Sequence, residues 1–472
     1  MEYGSLNLNQ TLRDYGYVGD LSVRDGIYYP SKAPLISFAA VPIYAILRAF
    51  SKSTHGESFE LRLVYFSRLF LTVLPTLGLL FLISRFLQAY LPHPFVHGLV
   101  ATYALGTLGL SYSLLLMSHQ TTAVLLFCTF YLLWKGQHSG FRLLRCLLAG
   151  ATAALAVTAE YTASLGVAVL LIYGWKATPP PLALKLKAFA AATLGAAPFL
   201  AALMLYHRLC FGHPLQTGYL HLNDAAYAGW HQGGFLGIGL PHADALALSL
   251  FSPLRGLFIL SPVLLLSLPG MWRLRGLAKT SAESRSLYFV TLTMMLAYAY
   301  FTSSFSYASW GWTTGPRHLT GLIPFLLLPV GLQLQQLIGK GGWRAGAAIG
   351  LCIASILVTG TASLVNYIPD SATNLVFGVL VPLVRHGYTA PTVASLLGFS
   401  SPYLGIVLGC CLGIAALLVG AQLILRCGKR SQAVLGVLGS VAIIALVFSA
   451  CPVSAQDSQA VQNLERSWIH RP

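Results

Sequence analysis

From about residue 60 to the C-terminus, the chain alternates long apolar runs with short polar breaks that carry Lys, Arg, Pro or Gly. Most runs are about 17–25 residues long, the length of a helix that crosses a bilayer. The predicted spans are 63–85, 96–117, 121–134, 143–158, 161–175, 186–206, 254–271, 286–304, 319–338, 345–365, 402–425 and 433–451. The run Ala33–Leu47 is different, because it is only 15 residues long before Arg48 and contains Pro34 and Pro42. That fits an interfacial or re-entrant helix, with a further span left open. The pattern predicts an all-α fold, a polytopic transmembrane helical bundle of 12 or 13 spans.

Composition agrees. Of 472 residues 56% are hydrophobic and 9% charged, with a mean hydropathy of +0.70; soluble domains carry about 25% charged residues. No stretch is left over for a soluble domain. The net charge of +16 does not indicate a nucleic-acid partner, because its placement follows the membrane. One set of short loops holds Arg85, Lys135, Arg142, Arg145, Lys176, Lys185, Lys187, Arg273, Arg275, Lys279, Arg285, Lys340, Arg344, Arg426, Lys429 and Arg430, with the single acid Glu283. The opposite side has the longer loops 207–253, 305–318 and 366–401. The basic side is therefore expected to be cytoplasmic and the long loops extracytoplasmic.

This topology divides the chain into an extracytoplasmic loop with an interfacial helix (1–62) and an N-terminal transmembrane module (63–207). An extracytoplasmic loop (208–253), C-terminal transmembrane helices (254–451) and a polar tail (452–472) follow. Met1–Gln10 lacks the apolar core of a secretory signal. If Ala33–Leu47 does not cross, the polar start must cross unaided, so an upstream helix outside this sequence is expected unless that run spans. The eight cysteines lie in or beside apolar helices without metal-ligand or disulfide spacing, and read as small packing residues.

Candidate chemistry concentrates in Asp14–Ile46, which holds Asp14, Asp20, Asp25, Tyr28, Tyr29 and Lys32. The helix interiors are nearly free of charge; Glu160, in TAEYTA, sits at an outer turn. That scarcity speaks against an ion-coupled transporter, which needs polar groups near the midplane. The outward helix mouths collect His119, His213, Tyr219, Arg255, Trp310, Arg317 and His318. Each aromatic also has the bland reading of a headgroup-level anchor, and each Arg that of a snorkelling cation. Together the set suits a lipid-linked phosphate donor. Lys32, Arg317 and Arg255 would bind phosphate, and a carboxylate (Asp20, then Asp14, then Asp25) would take the acceptor's proton. Tyr28, Tyr29, His119, Glu160, His213, Tyr219, Trp310 and His318 would line the sugar or acceptor. Asp25 precedes Gly26, so it also reads as a turn residue.

In order along the chain, GSLNL, RDGIYYPSKAPLISFAAVPIYA, SHQTTAV, FGHPLQTGY, SPLRGLFILSPVLL and WGWTTGPRHLTGLIPFLLLP resemble bacterial integral-membrane glycosyltransferases of the C-type fold. These are the family 39 enzymes related to the protein O-mannosyltransferases and the aminoarabinose transferase. The resemblance covers roughly residues 3–335. It implies sugar transfer from a polyprenyl-phosphate carrier at an extracytoplasmic cavity of the bacterial inner membrane. The implied partners are that donor and membrane lipid, with no cofactor and a divalent metal left open; His119 stands where several relatives carry a second acid, which counts against a two-carboxylate or metal-assisted version. A lipid or solute transporter or flippase, or a catalytically inactive truncated relative, are the alternatives.

Overall fold

The computed structural model describes residues 4–51, 56–139, 142–234, 237–305, 311–365, 368–387 and 404–468. Among them the fold is helical apart from one two-stranded antiparallel hairpin. Six helices are long and apolar enough to cross a membrane: Ser58–Leu87, Leu182–Phe211, Arg317–Lys340, Gly342–Val365, Leu404–Ile424 and Arg430–Ser449. The all-α, polytopic expectation therefore holds, and the chain is an integral membrane protein. It forms two compact units.

The first unit comprises Met1–Thr54, Thr121–Ala245 and Met294–Ala308. Its helices Leu143–Ala159 and Leu182–Phe211 approach backbone to backbone. A Cβ on Gly150 would lie 1.8 Å from the Ala192 carbonyl oxygen, and one on Gly195 1.9 Å from that of Leu147. Small residues are what permits such approach in lipid. The hairpin pairs β1 (Leu21–Arg24) with β2 (Ile27–Pro30), and Leu21 faces Pro30. Asp25 and Gly26 form the two-residue turn with φ of 52° and 75°. Positive φ at both positions is the type I′ signature that suits strand twist. After β2 the helix Leu35–Ala49 buries no residue and exposes Phe38 and Ile46, with Phe50 exposed just beyond its end. Its 15 residues reach about 22 Å, short of a hydrocarbon core of about 30 Å.

The second unit comprises His55–Gln120, Leu246–Thr293 and Ser309–Pro472. Its centre is the helix Gly342–Val365, buried along most of its length. Against Arg430–Ser449 the approach is again glycine-limited, because a Cβ on Gly346 would meet the Ala433 carbonyl oxygen at 1.9 Å. Hydroxyl groups add cross-links: Ser111 to Ser363 at 2.8 Å, and the Val263 amide to Ser355 Oγ at 2.9 Å. Two runs read as single spans are broken. The 96–117 run divides into His93–Gly106 and Leu108–Ser113, because Thr107 is extended and caps the second piece. The 254–271 run becomes Leu257–Leu260, a 3-10 turn over Pro262–Leu266 and the start of Ser267–Leu277. Pro262 has no N–H to continue the first helix.

The segment read as a polar tail contains the helix Ala455–Trp468, which buries Ala460, Val461 and Leu464. Asp457, itself buried, accepts from the Thr373 amide (2.7 Å) and hydroxyl (2.7 Å), the Asn374 amide (3.0 Å) and the Ser454 amide (2.8 Å). Burial pushes its carboxyl up, but these donors outweigh it and hold it below the usual carboxylate range.

Two outcomes follow. Gly346→Val should collapse the thermal stability of the purified protein, whereas Gly413→Ala, with nothing within 4 Å of the new Cβ, should leave it unchanged. Because the Asp457 pKa is depressed on folding, its contribution is complete above the unfolded value of about 4 and is lost as pH falls through the folded one. Hydrogen exchange should therefore show the 455–468 helix protected at pH 7, released in Asp457→Ala, and released in the native chain at strongly acid pH.

Candidate functional site

In the first unit the hairpin carries the polar chemistry. Ser22, buried in β1, donates to the Gly218 carbonyl at 2.7 Å, and the Asn223 amide donates to the Leu21 carbonyl at 2.9 Å. These bonds tie the hairpin to the loop after the helix Leu182–Phe211. A Cβ on Gly218 would lie 2.7 Å from the Ser31 carbonyl oxygen, so only glycine fits there. The chain leaving β2 then presents Ser31 and Lys32 to Asp20. Lys32 Nζ lies 2.8 Å from Asp20 Oδ2, and Ser31 Oγ donates to Asp20 Oδ1 at 2.8 Å. Both ionic side chains are about half exposed (53% and 43%). A pair so placed contributes about 0–1 kcal/mol to stability, so folding alone does not require it.

Lys32 Nζ also sits 5.1 Å from the centre of the Tyr219 ring, within cation–π range. Tyr219 stacks on His231 at 4.4 Å and meets Tyr161 edge-on at 5.8 Å. Beneath them Tyr161 and the buried His207 are 2.9 Å apart, and His207 Nδ1 is 3.1 Å from the Pro214 carbonyl. A carbonyl only accepts, so Nδ1 carries the proton, and Nε2 is left to accept from the Tyr161 hydroxyl. Glu160, beside Tyr161 at the end of its helix, accepts from Thr162 Oγ1 at 2.8 Å. The result is a carboxylate, a cation and a wall of aromatic faces.

The other residues of the loop are placed apart from this cluster. Asp14 is exposed and accepts from Gln10 Nε2 at 3.1 Å. Asp25 is in the turn, 81% exposed, 3.3 Å from Arg24 Nε. Tyr28 is half-buried, and Tyr29 packs edge-on to Phe211, where burial raises its phenol pKa. His213 is exposed. His221 stacks on Phe211 at 5.3 Å, and burial, reinforced by Arg24, lowers its pKa.

In the second unit the buried His119 meets Tyr112 and His318 edge-on, with ring centres at 5.2 and 5.1 Å. The Tyr112 hydroxyl donates to the Thr314 carbonyl at 2.9 Å, which fixes the loop before Arg317. Gly315 turns that loop at φ 68°, and Arg317 opens the 3-10 segment Arg317–Leu322. Arg317 Nε is enclosed and has no hydrogen-bond partner among the described residues. Such a donor suits an anion, which a guanidinium binds as a fork. Arg255 is buried (6% exposed). Trp310 lies outside the described residues.

No protein-family model matches the sequence, and no curated protein matches it. Among solved structures, the chain is similar to the Archaeoglobus fulgidus oligosaccharyltransferase in the apo form, at 14% identity and a TM-score of 0.40. The match covers 75% of this chain and 50% of that one, so this chain spans about half of that enzyme's length.

The sequence alone does not single out Tyr161, His207 or His231. Tyr161 sits beside Glu160 in TAEYTA and had a local signal; the two histidines, in loops or at helix ends, had none. Removing the acceptor in His207→Leu leaves a buried hydroxyl unsatisfied, which costs about 1–3 kcal/mol. A cycle of Tyr161→Phe, His207→Leu and the double variant should show coupling of at least about 0.5 kcal/mol in denaturant unfolding. Additive losses would show that Tyr161 and His207 do not bond in the folded protein.

Proposed function

We propose that this chain is a C-type-fold membrane glycosyltransferase that moves a sugar from a polyprenyl-phosphate carrier to an acceptor hydroxyl at an extracytoplasmic face. The observation that carries the reading is the Asp20–Lys32 pair set over Tyr219, directly before a helix that buries no residue. Asp20 takes the acceptor hydroxyl's proton as its oxygen bonds to the anomeric carbon. The bond from that carbon to the phosphate oxygen breaks, and Lys32 balances the charge that develops on the departing phosphate. Tyr219, stacked on His231, holds the Lys32 ammonium in place, and the exposed apolar side of Leu35–Ala49 suits the carrier's lipid surroundings.

The test is release of polyprenyl phosphate from a panel of polyprenyl-phosphate sugars by the purified protein in vesicles. Asp20→Asn should slow release by about 100-fold or more with donor binding retained. Lys32→Met should weaken donor binding by about 10-fold or more. Asp25→Asn, in the exposed turn, should stay within about twofold. Full release by Asp20→Asn would overturn the assignment of the base.

A further inference from the structure

The 30-residue helix Leu182–Phe211 carries His207 near one end and Lys185 near the other, about 33 Å away along its axis. At the Lys185 end, a groove opens between this helix and the helices Leu143–Ala159 and Ala163–Ala177. Its depth is apolar, lined by Ala153, Val167, Leu170, Phe189 and Ala192. Its mouth holds Trp175 and Lys185, whose ammonium donates to the Trp175 carbonyl at 3.1 Å and lies 5.5 Å from that ring's centre. A second cavity shares Leu133, Cys146, Gly174 and Thr178 with the first and reaches out to Arg142 and Arg145. Among the described residues, every charged side chain lining the two cavities is a cation.

Two physical features select an occupant. From Thr178 to Val167 the lining runs about 16 Å along the helix axis, half of a hydrocarbon core of about 30 Å. That length matches the depth of one leaflet. The cations lie toward the Thr178 end of this lining, and each adds attraction for an anionic headgroup. We propose that this groove is a binding site for an anionic glycerophospholipid, its phosphate between Lys185, Arg142 and Arg145 and one acyl chain in the apolar slot. The site is independent of the Asp20–Lys32 cluster and of the transfer reaction.

Native mass spectrometry of the delipidated protein decides the matter, with phosphatidylglycerol, phosphatidylcholine and polyprenyl phosphate offered in turn. Phosphatidylglycerol should bind at one retained equivalent in preference to phosphatidylcholine. The surface variant Arg142→Gln/Arg145→Gln/Lys185→Gln should weaken it by about fivefold per charge removed, at an unchanged melting temperature. Ala153→Leu, which fills the slot, should lower retention while leaving the cations in place. Equal binding of the two phospholipids, or an unaltered triple variant, would overturn the site. Preferential retention of polyprenyl phosphate would overturn the glycerophospholipid as occupant.

Discussion

In a bilayer, apolar side chains gain nothing by leaving lipid for one another, so helices stay together only where their backbones approach closely or where hydroxyls bond across them. This constraint orders the whole chain. Gly150 and Gly195 bring two helices of the first unit into direct backbone contact. Gly346 and Gly436 do the same in the second, and Gly106 seats its helix against Ile356. Serine and threonine hydroxyls add bonds at depths where water does not compete, as between Thr129 and Thr152 at 2.8 Å. Faces without such positions stay bare: Leu194, Leu205, Leu417 and Leu435 all remain exposed to lipid.

Outside the hydrocarbon the rules reverse, and polar satisfaction does the positioning. The β1–β2 hairpin is short, and alone it would be marginal. It gains a fixed place from Ser22, Asn223 and the bare backbone of Gly218. Because strand faces alternate, a one-residue slip would turn Ser22 outward and carry Ser31 and Lys32 away from Asp20. The geometry of the candidate site is thus a consequence of hairpin register. Beneath it, the order Pro214, His207, Tyr161, Tyr219 passes that register into the helix end, each group held by the next.

The same long helix therefore serves two environments. Its C-terminal turn, closed by Gly212 in the left-handed conformation, ends among rings and a hydrogen-bonded imidazole. Its N-terminal turn, after Pro179–Pro181, ends among cations. A protein whose proposed donor is itself a lipid phosphate has reason to keep such chemistries apart, because an exposed cation recruits any anionic headgroup within reach.

The sequence by itself determined the helical membrane character, since long uncharged runs leave no other way to satisfy a backbone in lipid. It also fixed the Asp25–Gly26 turn, whose positive φ values few other residue pairs accept. It set Asp20 ahead of Asp14 by only a narrow margin. Both are acids in polar loop sequence, and only the path of the chain after Pro30 returns Lys32 and Ser31 to one of them. Likewise nothing local marks His207, His231 or Asp457, whose partners lie at Pro214, Tyr219 and Thr373. Hydropathy reports how each residue meets its solvent, a property of the residue itself. Which polar groups meet one another is a property of the packed chain, decided where glycine lets backbones touch.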